Sequence, residues 1–155
     1  RSVSTPAVRV KSGEVEGDEK ELEPKEQTVF RGIVARANYL SQDRRDISYA
    51  VKDLSRRMAK PRVRDVNAAK RLARYLATRM RMICHFKRQS MQIEIEGWSD
   101  SDWAGCLETR KSTSGGLLKF CTHIWKTWST TQGVIALSSG EAEDYALVKT
   151  ASQSM

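Results

Sequence analysis

The spacing of the apolar residues changes its period along the chain, which limits the folds available to it. In the middle of the chain, apolar residues recur every three or four positions, as on one face of an α-helix. The clearest set is Ile47, Val51, Leu54 and Met58. Nearer the C-terminus, Ile93 and Ile95 alternate with acidic residues, as in a half-buried β-strand. We therefore predict the α/β class, with helices first and a β-rich part after them.

Three helices are predicted in the middle of the chain. The first covers about residues 30–40. The second follows Asp46, which is placed to cap it, and ends before Pro61. The third begins near Asp65 and has an apolar face and an opposite basic face. That basic face consists of Lys70, Arg71 and Arg74.

The remainder of the chain predicts three strands and a final helix. The strands cover about residues 92–96, 117–121 and 123–129, and a turn is predicted at 112–116. Ser138 and Glu141 match the capping-box pattern S-x-x-E, so the helix should begin at Ser138 or Ser139. The predicted order is therefore three strands and then a helix.

The net charge of +8 is concentrated in one block of the sequence. Residues 31–90 contain 17 Lys and Arg but 4 Asp and Glu, so acidic partners are scarce there. This imbalance favours a surface that contacts a phosphate backbone. The alternative is an ordinary solvated helix face. The candidate contacts are Arg56, Arg57, Lys70, Arg71 and Arg74.

The first 28 residues predict a disordered tail or linker. They contain few apolar residues, and these follow neither a helical nor a strand period. We therefore expect disorder as far as about Glu26. They also lack the apolar segment of a signal peptide, and no apolar run in the chain reaches the roughly 20 residues of a membrane helix. The three cysteines form no C-x-x-C pair, which favours reduced thiols in an intracellular protein.

Two acids are candidate ligands for a divalent metal ion. Asp100 follows the first predicted strand, and Glu143 lies in the first turn of the final helix. Ala146 and Leu147 flank Glu143 on one apolar face, so we expect this acid to face the core or the sheet edge and to need a partner. The alternative for Glu143 is that it only interacts favourably with the helix dipole in the first turn. The alternative for Asp100 is that it is a turn residue, and Asp102 is then a second candidate for the ligand role.

From about residue 30 onward, the chain resembles the reverse transcriptase–ribonuclease H part of copia-type LTR retrotransposon polyproteins. Segments 31–40 and 45–51 resemble the sequence that follows the polymerase palm, and segments 54–58 and 69–76 are similar to the thumb and connection. Three motifs resemble the start of the ribonuclease H domain: S-D-S-D-W-A-G at 99–105, R-K-S-T-S-G at 110–115 and A-L-S-S-G-E-A-E at 136–143.

The resemblance implies a domain organisation and a chemistry. It implies a disordered tail at 1–28, a basic helical thumb/connection-like segment at 29–90, and a truncated ribonuclease H-like β-β-β-α unit at 91–155. The family's motif acids match Asp100 and Glu143, which would bind Mg²⁺ or Mn²⁺, while Asp102 matches the motif without the primary ligand role. The implied reaction is hydrolysis of the RNA strand of an RNA/DNA hybrid. The implied partners are that hybrid and the rest of the polyprotein, in the cytoplasm or nucleus.

The chain departs from the family's pattern in three respects. Two later carboxylates and two strands do not follow the final helix, a Y-x-D-D polymerase motif is absent, and Asp144 replaces an aromatic residue. We therefore expect a hybrid-binding fragment without turnover of its own, because two carboxylates hold Mg²⁺ only weakly. Two alternatives stay open: an active ribonuclease H within a longer chain or complex, and a basic interaction protein without nuclease chemistry.

Overall fold

The chain forms two compact units, Arg1–Ile83 and Cys84–Met155. A computed structural model describes residues 3–8, 19–89, 94–106 and 108–155. The first unit contains α1 (Pro24–Leu40), a 3₁₀ turn (Arg45–Ile47), α2 (Ser48–Arg56) and α3 (Val63–Thr78). The second contains β1 (Ile95–Asp102), β2 (Thr113–Phe120), β3 (His123–Thr131) and α4 (Ser139–Ser154). The predicted α/β class and the order of its elements are confirmed. None of the described helices has the length and apolar content needed to cross a membrane.

The helical unit buries the apolar stripe that the sequence predicts for α2. Ile47, Val51 and Leu54 are almost fully buried, and Met58 packs at the margin of the same cluster. They meet Phe30 and Val34 of α1 and Leu72 of α3. A period of three to four residues therefore identifies the core face correctly, because side chains at that spacing lie on one side of a helix.

The prediction of disorder as far as Glu26 is wrong for residues 19–26. The chain is ordered there because Leu22 is buried and its N–H donates to the carbonyl oxygen of Pro61 at 3.0 Å. Helix α1 then begins at Pro24, a residue suited to a first helical position. Residues 9–18 of the predicted tail lie outside the described residues, whereas Val3 and Ala7 pack against the helical core.

Two predicted helix starts also need correction. Asp46 does not cap α2, whose N-cap is Ile47 without a side-chain hydrogen bond. Its carboxylate instead accepts hydrogen bonds from Arg44 and Tyr75. Helix α3 begins at Val63 rather than near Asp65, because Asp65 occupies the first turn and accepts a hydrogen bond from the Arg62 N–H at 2.8 Å.

The second unit is an antiparallel sheet in the order β1-β2-β3. Asp100 pairs with Gly115, Ser101 with Ser114, and Gly116 with Trp128. The turn predicted at 112–116 is therefore wrong, because most of that segment lies inside β2. The reversal between β1 and β2 occurs earlier, where Ala104 and Arg110 adopt positive φ angles. The strand predicted at 123–129 is confirmed, and the first one lies partly outside the described residues.

Helix α4 packs against β1 and β2 through a stripe of small residues. Ala142, Ala146 and Thr150 are buried at helical spacing. Opposite them, a Cβ atom on Gly97 would lie 2.9 Å from Cγ2 of Thr150, so the helix approaches the strand closely. The predicted start of this helix is confirmed, since Ser138 is its N-cap and accepts a hydrogen bond from the Glu141 N–H.

Candidate functional site

Asp100 lies inside β1 rather than at the end of a strand. Its side chain is exposed. Ser101 accepts a hydrogen bond from Gln132, whose amide also binds α4, so Ser101 faces that helix. Because successive side chains alternate across a sheet, Asp100 projects from the opposite face. Among the described residues β1 pairs only with β2, so Asp100 borders an unpaired strand edge.

Glu96 and Trp98 share this face of β1 with Asp100. The carboxylate of Glu96 accepts hydrogen bonds from Lys119 at 2.8 Å and from the indole N–H of Trp98 at 3.3 Å. The hydrogen bond from Lys119, followed by that from Trp98, holds the pKa of Glu96 below its usual value. Lys119 is thus engaged with Glu96, four positions before Asp100 in the strand.

Glu143 is exposed on a flank of α4 and does not face the core. The expected apolar face around it is wrong, because Leu147 is 59% exposed and the buried stripe runs through Ala142, Ala146 and Thr150. Lys149 donates to Thr130 of β3, whereas Thr150 approaches β1. Glu143 is close to Thr150 on the helical wheel, so it lies on the β1 side of the helix.

Asp100 and Glu143 therefore lie on elements that pack against each other, with Asp100 on the face of β1 that points away from α4. Both carboxylates offer the oxygen ligands that Mg²⁺ prefers. The described residues contain no group of three or more His, Cys, Asp or Glu side chains arranged for a metal ion.

Asp102, the competing acid, is engaged in the turn after β1. Its carboxylate accepts a hydrogen bond from the backbone N–H of Thr113 and lies where a side chain on Gly105 would need to be. These contacts give Asp102 a structural role at the start of the β1–β2 connection.

Gln132 is a buried residue of this unit that the sequence analysis did not select. Its side-chain amide nitrogen lies 2.8 Å from the carbonyl oxygen of Ala142, 3.0 Å from Oγ of Ser114 and 3.4 Å from Oγ of Ser101. Its own backbone N–H donates to Ser112 at 2.8 Å. A single polar residue after a strand has no periodic signal, so only the tertiary contacts identify it.

The predicted phosphate-binding residues of α2 have acidic neighbours. Arg56 and Arg57 each lie 4.0 Å from a carboxylate oxygen of Asp53. Arg57 also lies 3.4 Å from Asp65, which is 3% exposed. Burial, the largest cause, raises the pKa of Asp65, while its hydrogen bond from Arg62 and the charge of Arg57 oppose that shift. These arginines therefore serve partly to neutralise acids of their own unit.

The predicted basic residues of α3 divide into two groups. Arg71 donates to the carbonyl oxygen of Thr5 at 3.2 Å and to its hydroxyl at 2.9 Å. Lys70 and Arg74 are exposed and lie one turn apart, and neither has an ion pair within the described part of the chain. Helix α3 therefore presents at least these two cations to solvent on one face.

A buried polar network connects the 3₁₀ turn to α3. The guanidinium of Arg44, 7% exposed, donates twice to Asp46 at 2.9 and 2.8 Å. The hydroxyl of Tyr75 donates to the same carboxylate at 2.9 Å. The Arg44 hydrogen bond, the largest cause, lowers the pKa of Asp46, whereas burial and this carboxylate raise the pKa of Tyr75. The network borders an open cleft of about 630 Å³ that also contains Arg79 and Arg81.

Several known proteins are similar to this chain over most of its length. An uncharacterized mitochondrial protein of Arabidopsis thaliana is 38% identical over 128 residues, which is 80% of this chain and 51% of that protein. Retrovirus-related Pol polyproteins from the transposons RE1 and RE2 of the same plant are each 37% identical over 127 residues, 81% of this chain but 8% and 9% of their own lengths. The chain thus spans about half of the first relative and under a tenth of the other two. No protein-family model and no solved structure matches it.

Proposed function

This chain belongs to the Pol polyproteins of copia-type retrotransposons, and we propose that it binds RNA/DNA hybrid through a basic face of its helical unit. The exposed pair Lys70 and Arg74 carries this proposal. Cations one turn apart on a helix can contact successive phosphates, which supplies affinity without reading sequence. A hybrid has a wide minor groove and 2′-hydroxyls, which proteins recognise chiefly by shape.

We further propose that the sheet unit is part of a ribonuclease H-type metal site in which Asp100 and Glu143 hold Mg²⁺ or Mn²⁺. Their exposure and the packing of α4 against β1 support this assignment. When bound, the ion would polarise the scissile phosphate of the RNA strand. The two acids would bind and orient the ion.

Binding without cleavage is the function that the described residues support. Two-metal hydrolysis requires ligands for both ions, and the two motif acids Asp100 and Glu143 are suited to hold one ion weakly. In a longer Pol polyprotein that supplies further acids, the same unit would take part in hydrolysis of the RNA strand. The rest of the polyprotein is therefore the proposed partner.

Hybrid binding is tested by fluorescence anisotropy with a labelled RNA/DNA duplex at several salt concentrations. The double variant Lys70→Ala/Arg74→Ala should bind more weakly, and the slope of log K against log salt should fall by about 2, one per lost phosphate contact. The control Lys25→Ala/Arg36→Ala removes the same charge from exposed positions of α1. Equal losses in both variants would mean that net charge, rather than this face, binds the hybrid.

Metal-dependent chemistry is tested with a hybrid labelled on its RNA strand in Mg²⁺ or Mn²⁺. We expect binding but no cutting by the wild-type chain. RNA cleavage that disappears in Asp100→Asn would contradict this expectation and would favour an active enzyme. Absence of hybrid binding, together with binding to unrelated proteins, would favour the basic interaction protein.

A further inference from the structure

The open cleft beside the Arg44–Asp46–Tyr75 network has the dimensions of a small-ligand site. Its volume is about 630 Å³, and all of its lining residues belong to the helical unit. Pockets for small organic ligands commonly measure about 300–1,000 Å³. Besides the network, the lining consists of the last residue of α3 and the four residues after it: Thr78, Arg79, Met80, Arg81 and Met82.

The lining of the cleft carries a net positive charge. Three arginines, Arg44, Arg79 and Arg81, line it together with a single acid, Asp46. Both carboxylate oxygens of Asp46 are already engaged, one with Arg44 and the other with Arg44 and Tyr75. Arg79 and Arg81 are exposed, and neither has an ion pair within the described part of the chain. An anionic group in the cleft would therefore meet cations that no acid has neutralised.

Arg44 offers unused donors at the inner wall of the cleft. Its guanidinium is buried, and its Nε and Nη2 donate to Asp46. The third nitrogen, Nη1, has no hydrogen-bond partner among the described residues and is not completely enclosed. A guanidinium presents its N–H groups in a planar fork that matches the oxygens of a phosphate. Because buried charges are screened less than exposed ones, Arg44 is well placed to bind a phosphate that enters the cleft.

The end of α3 borders the same cleft, and the last carbonyl groups of a helix carry partial negative charge. Groups of the chain itself bind these carbonyls. The hydroxyl of Thr78 lies 3.0 Å from the carbonyl oxygen of Tyr75 and 3.2 Å from that of Arg74. The N–H of Arg79 also donates to Tyr75, and its guanidinium lies over the Tyr75 ring, 5.6 Å from the ring centroid. The helix end is therefore capped, with a cation beside it.

Met80 and Met82 give the cleft an apolar part. Their thioethers are polarizable and flexible, and sulfur makes favourable contacts with aromatic rings. The lining thus combines donors for a phosphate with a surface suited to an aromatic ring. A nucleotide has both of these parts in one molecule.

We infer that this cleft binds a nucleotide, whose phosphate contacts the three arginines and whose base packs against the two methionines. The site does not depend on the proposed hybrid binding, since neither Lys70 nor Arg74 lines the cleft. Thr78 follows Arg74 by one helical turn, so the cleft adjoins the C-terminal end of that basic face. Two sources therefore supply the same phosphomonoester: a free nucleotide and the 5′-phosphorylated end of a nucleic-acid strand.

The test titrates the isotope-labelled full chain with adenosine 5′-monophosphate (AMP) and follows the backbone amides of Tyr75, Thr78 and Arg79 by NMR. The titration is made in about 0.15 M salt, which screens weak contacts between exposed charges. We expect these amides to shift, AMP to bind more tightly than inorganic phosphate, and adenosine not to bind. Equal affinity for AMP and inorganic phosphate would overturn the role of the base. Equal affinity for AMP and adenosine would overturn the role of the phosphate.

The double variant Arg79→Ala/Arg81→Ala should weaken AMP binding by at least about tenfold, because charge-assisted hydrogen bonds are lost. The control Lys25→Ala/Arg36→Ala removes the same charge from exposed positions of α1 and should change the affinity by less than about twofold. Equal losses in both variants would mean that net charge alone attracts the nucleotide, which overturns the site. Arg81→Glu replaces the double variant if that variant does not fold, because Arg81 has no hydrogen bond or ion pair within the described residues.

Two short single strands of one sequence, with a phosphate or a hydroxyl at the 5′ end, distinguish the two sources. Shifts of the same amides with the phosphorylated strand alone would assign the site to strand ends. Shifts with AMP but with neither strand would assign it to free nucleotides. Equal shifts with both strands would reveal contacts with internal phosphates and overturn a phosphomonoester site. No shift with any probe would overturn the inference, while hybrid binding is decided separately by the anisotropy measurements.

Discussion

Two adjacent glycines of β2 have different steric surroundings. A Cβ atom on Gly116 would overlap the ring of Trp128, its cross-strand partner. A Cβ atom on Gly115 would meet only the backbone oxygen of Asp100, at 3.9 Å. Gly116 is therefore required by packing, because the indole lies across the strand at that point, whereas Gly115 is not.

We predict that Gly116→Ala lowers the free energy of unfolding by about 1–3 kcal/mol, the usual cost of overpacking. Gly115→Ala should be neutral or stabilising by about 0.5 kcal/mol, because alanine restricts the unfolded chain. Urea denaturation followed by tryptophan fluorescence measures both. Equal destabilisation by the two substitutions would show that a general demand for glycine in β2, and not the Trp128 contact, is responsible.

The Arg44–Asp46–Tyr75 network predicts that the free energy of unfolding falls at low pH. The pKa of Asp46 is lowered mainly by its hydrogen bond from Arg44. Its contribution is therefore present above the unfolded-state pKa of about 3.9 and is lost as the pH falls through the lower folded-state value. Asp46→Asn should cost about 3 kcal/mol at pH 7, because it leaves a buried guanidinium without its charge partner.

The difference between wild type and Asp46→Asn should begin to shrink as the pH falls below about 4, where Asp46 becomes protonated in the unfolded chain before it does so in the folded protein. Urea titrations over that pH range measure it. The exposed Asp43→Asn is the control and should change stability little at any pH. A difference that stays constant down to low pH would rule out the ionised Asp46 as its source.

At the scale of the elements, the start of α4 depends on two local hydrogen bonds. The hydroxyl of Ser138 accepts from the Glu141 N–H at 3.1 Å, and the Glu141 carboxylate accepts from the Leu137 N–H at 2.7 Å. The reciprocal bond of the capping box is thus displaced by one residue, from Ser138 to Leu137. The cap holds the helix turn that precedes Glu143.

Ser138→Ala should destabilise the protein by about 1 kcal/mol, because the first turn of α4 loses an acceptor for one of its free N–H groups. Ser139→Ala is the control, since Ser139 is exposed and lies inside the helix, where alanine is favourable. Thermal and urea denaturation of the two variants give the comparison. An equal loss of stability in Ser139→Ala and Ser138→Ala would contradict the capping assignment.

At the scale of the whole molecule, contacts between distant parts of the sequence neutralise some of the cationic excess. Glu19 forms ion pairs with both Arg62 and Arg64, and Thr5 accepts the guanidinium hydrogen bonds of Arg71. Some of the cationic side chains are therefore already engaged within the protein, and fewer remain available for contacts with phosphates. The residues before α1 reduce the basic surface of their own helical unit.

We predict that Glu19→Gln increases affinity for an RNA/DNA hybrid at low salt, because it releases two arginines for phosphate contacts. Asp43→Asn changes the net charge equally in the same unit and should have a smaller effect. Anisotropy titrations at two salt concentrations measure both. An identical gain in the two variants would mean that only net charge matters.

The sequence by itself determined the features that depend on residues a few positions apart. The period of Ile47, Val51 and Leu54 identified a buried helix face, and the spacing of Ser138 and Glu141 identified the start of α4. Both follow from geometry within one or two helical turns. The motif acids were also selected from sequence, and their metal-binding role stays a prediction.

Only the tertiary structure decided which partner each polar side chain takes. Asp46 was expected to cap α2, but its carboxylate binds Tyr75, which is 29 residues away. Arg71 was expected to be free for phosphate, but it binds Thr5, 66 residues away. Gln132 gave no sequence signal because its acceptors lie on three different elements. Such contacts depend on how completed helices and strands pack, which the local pattern of residues does not encode.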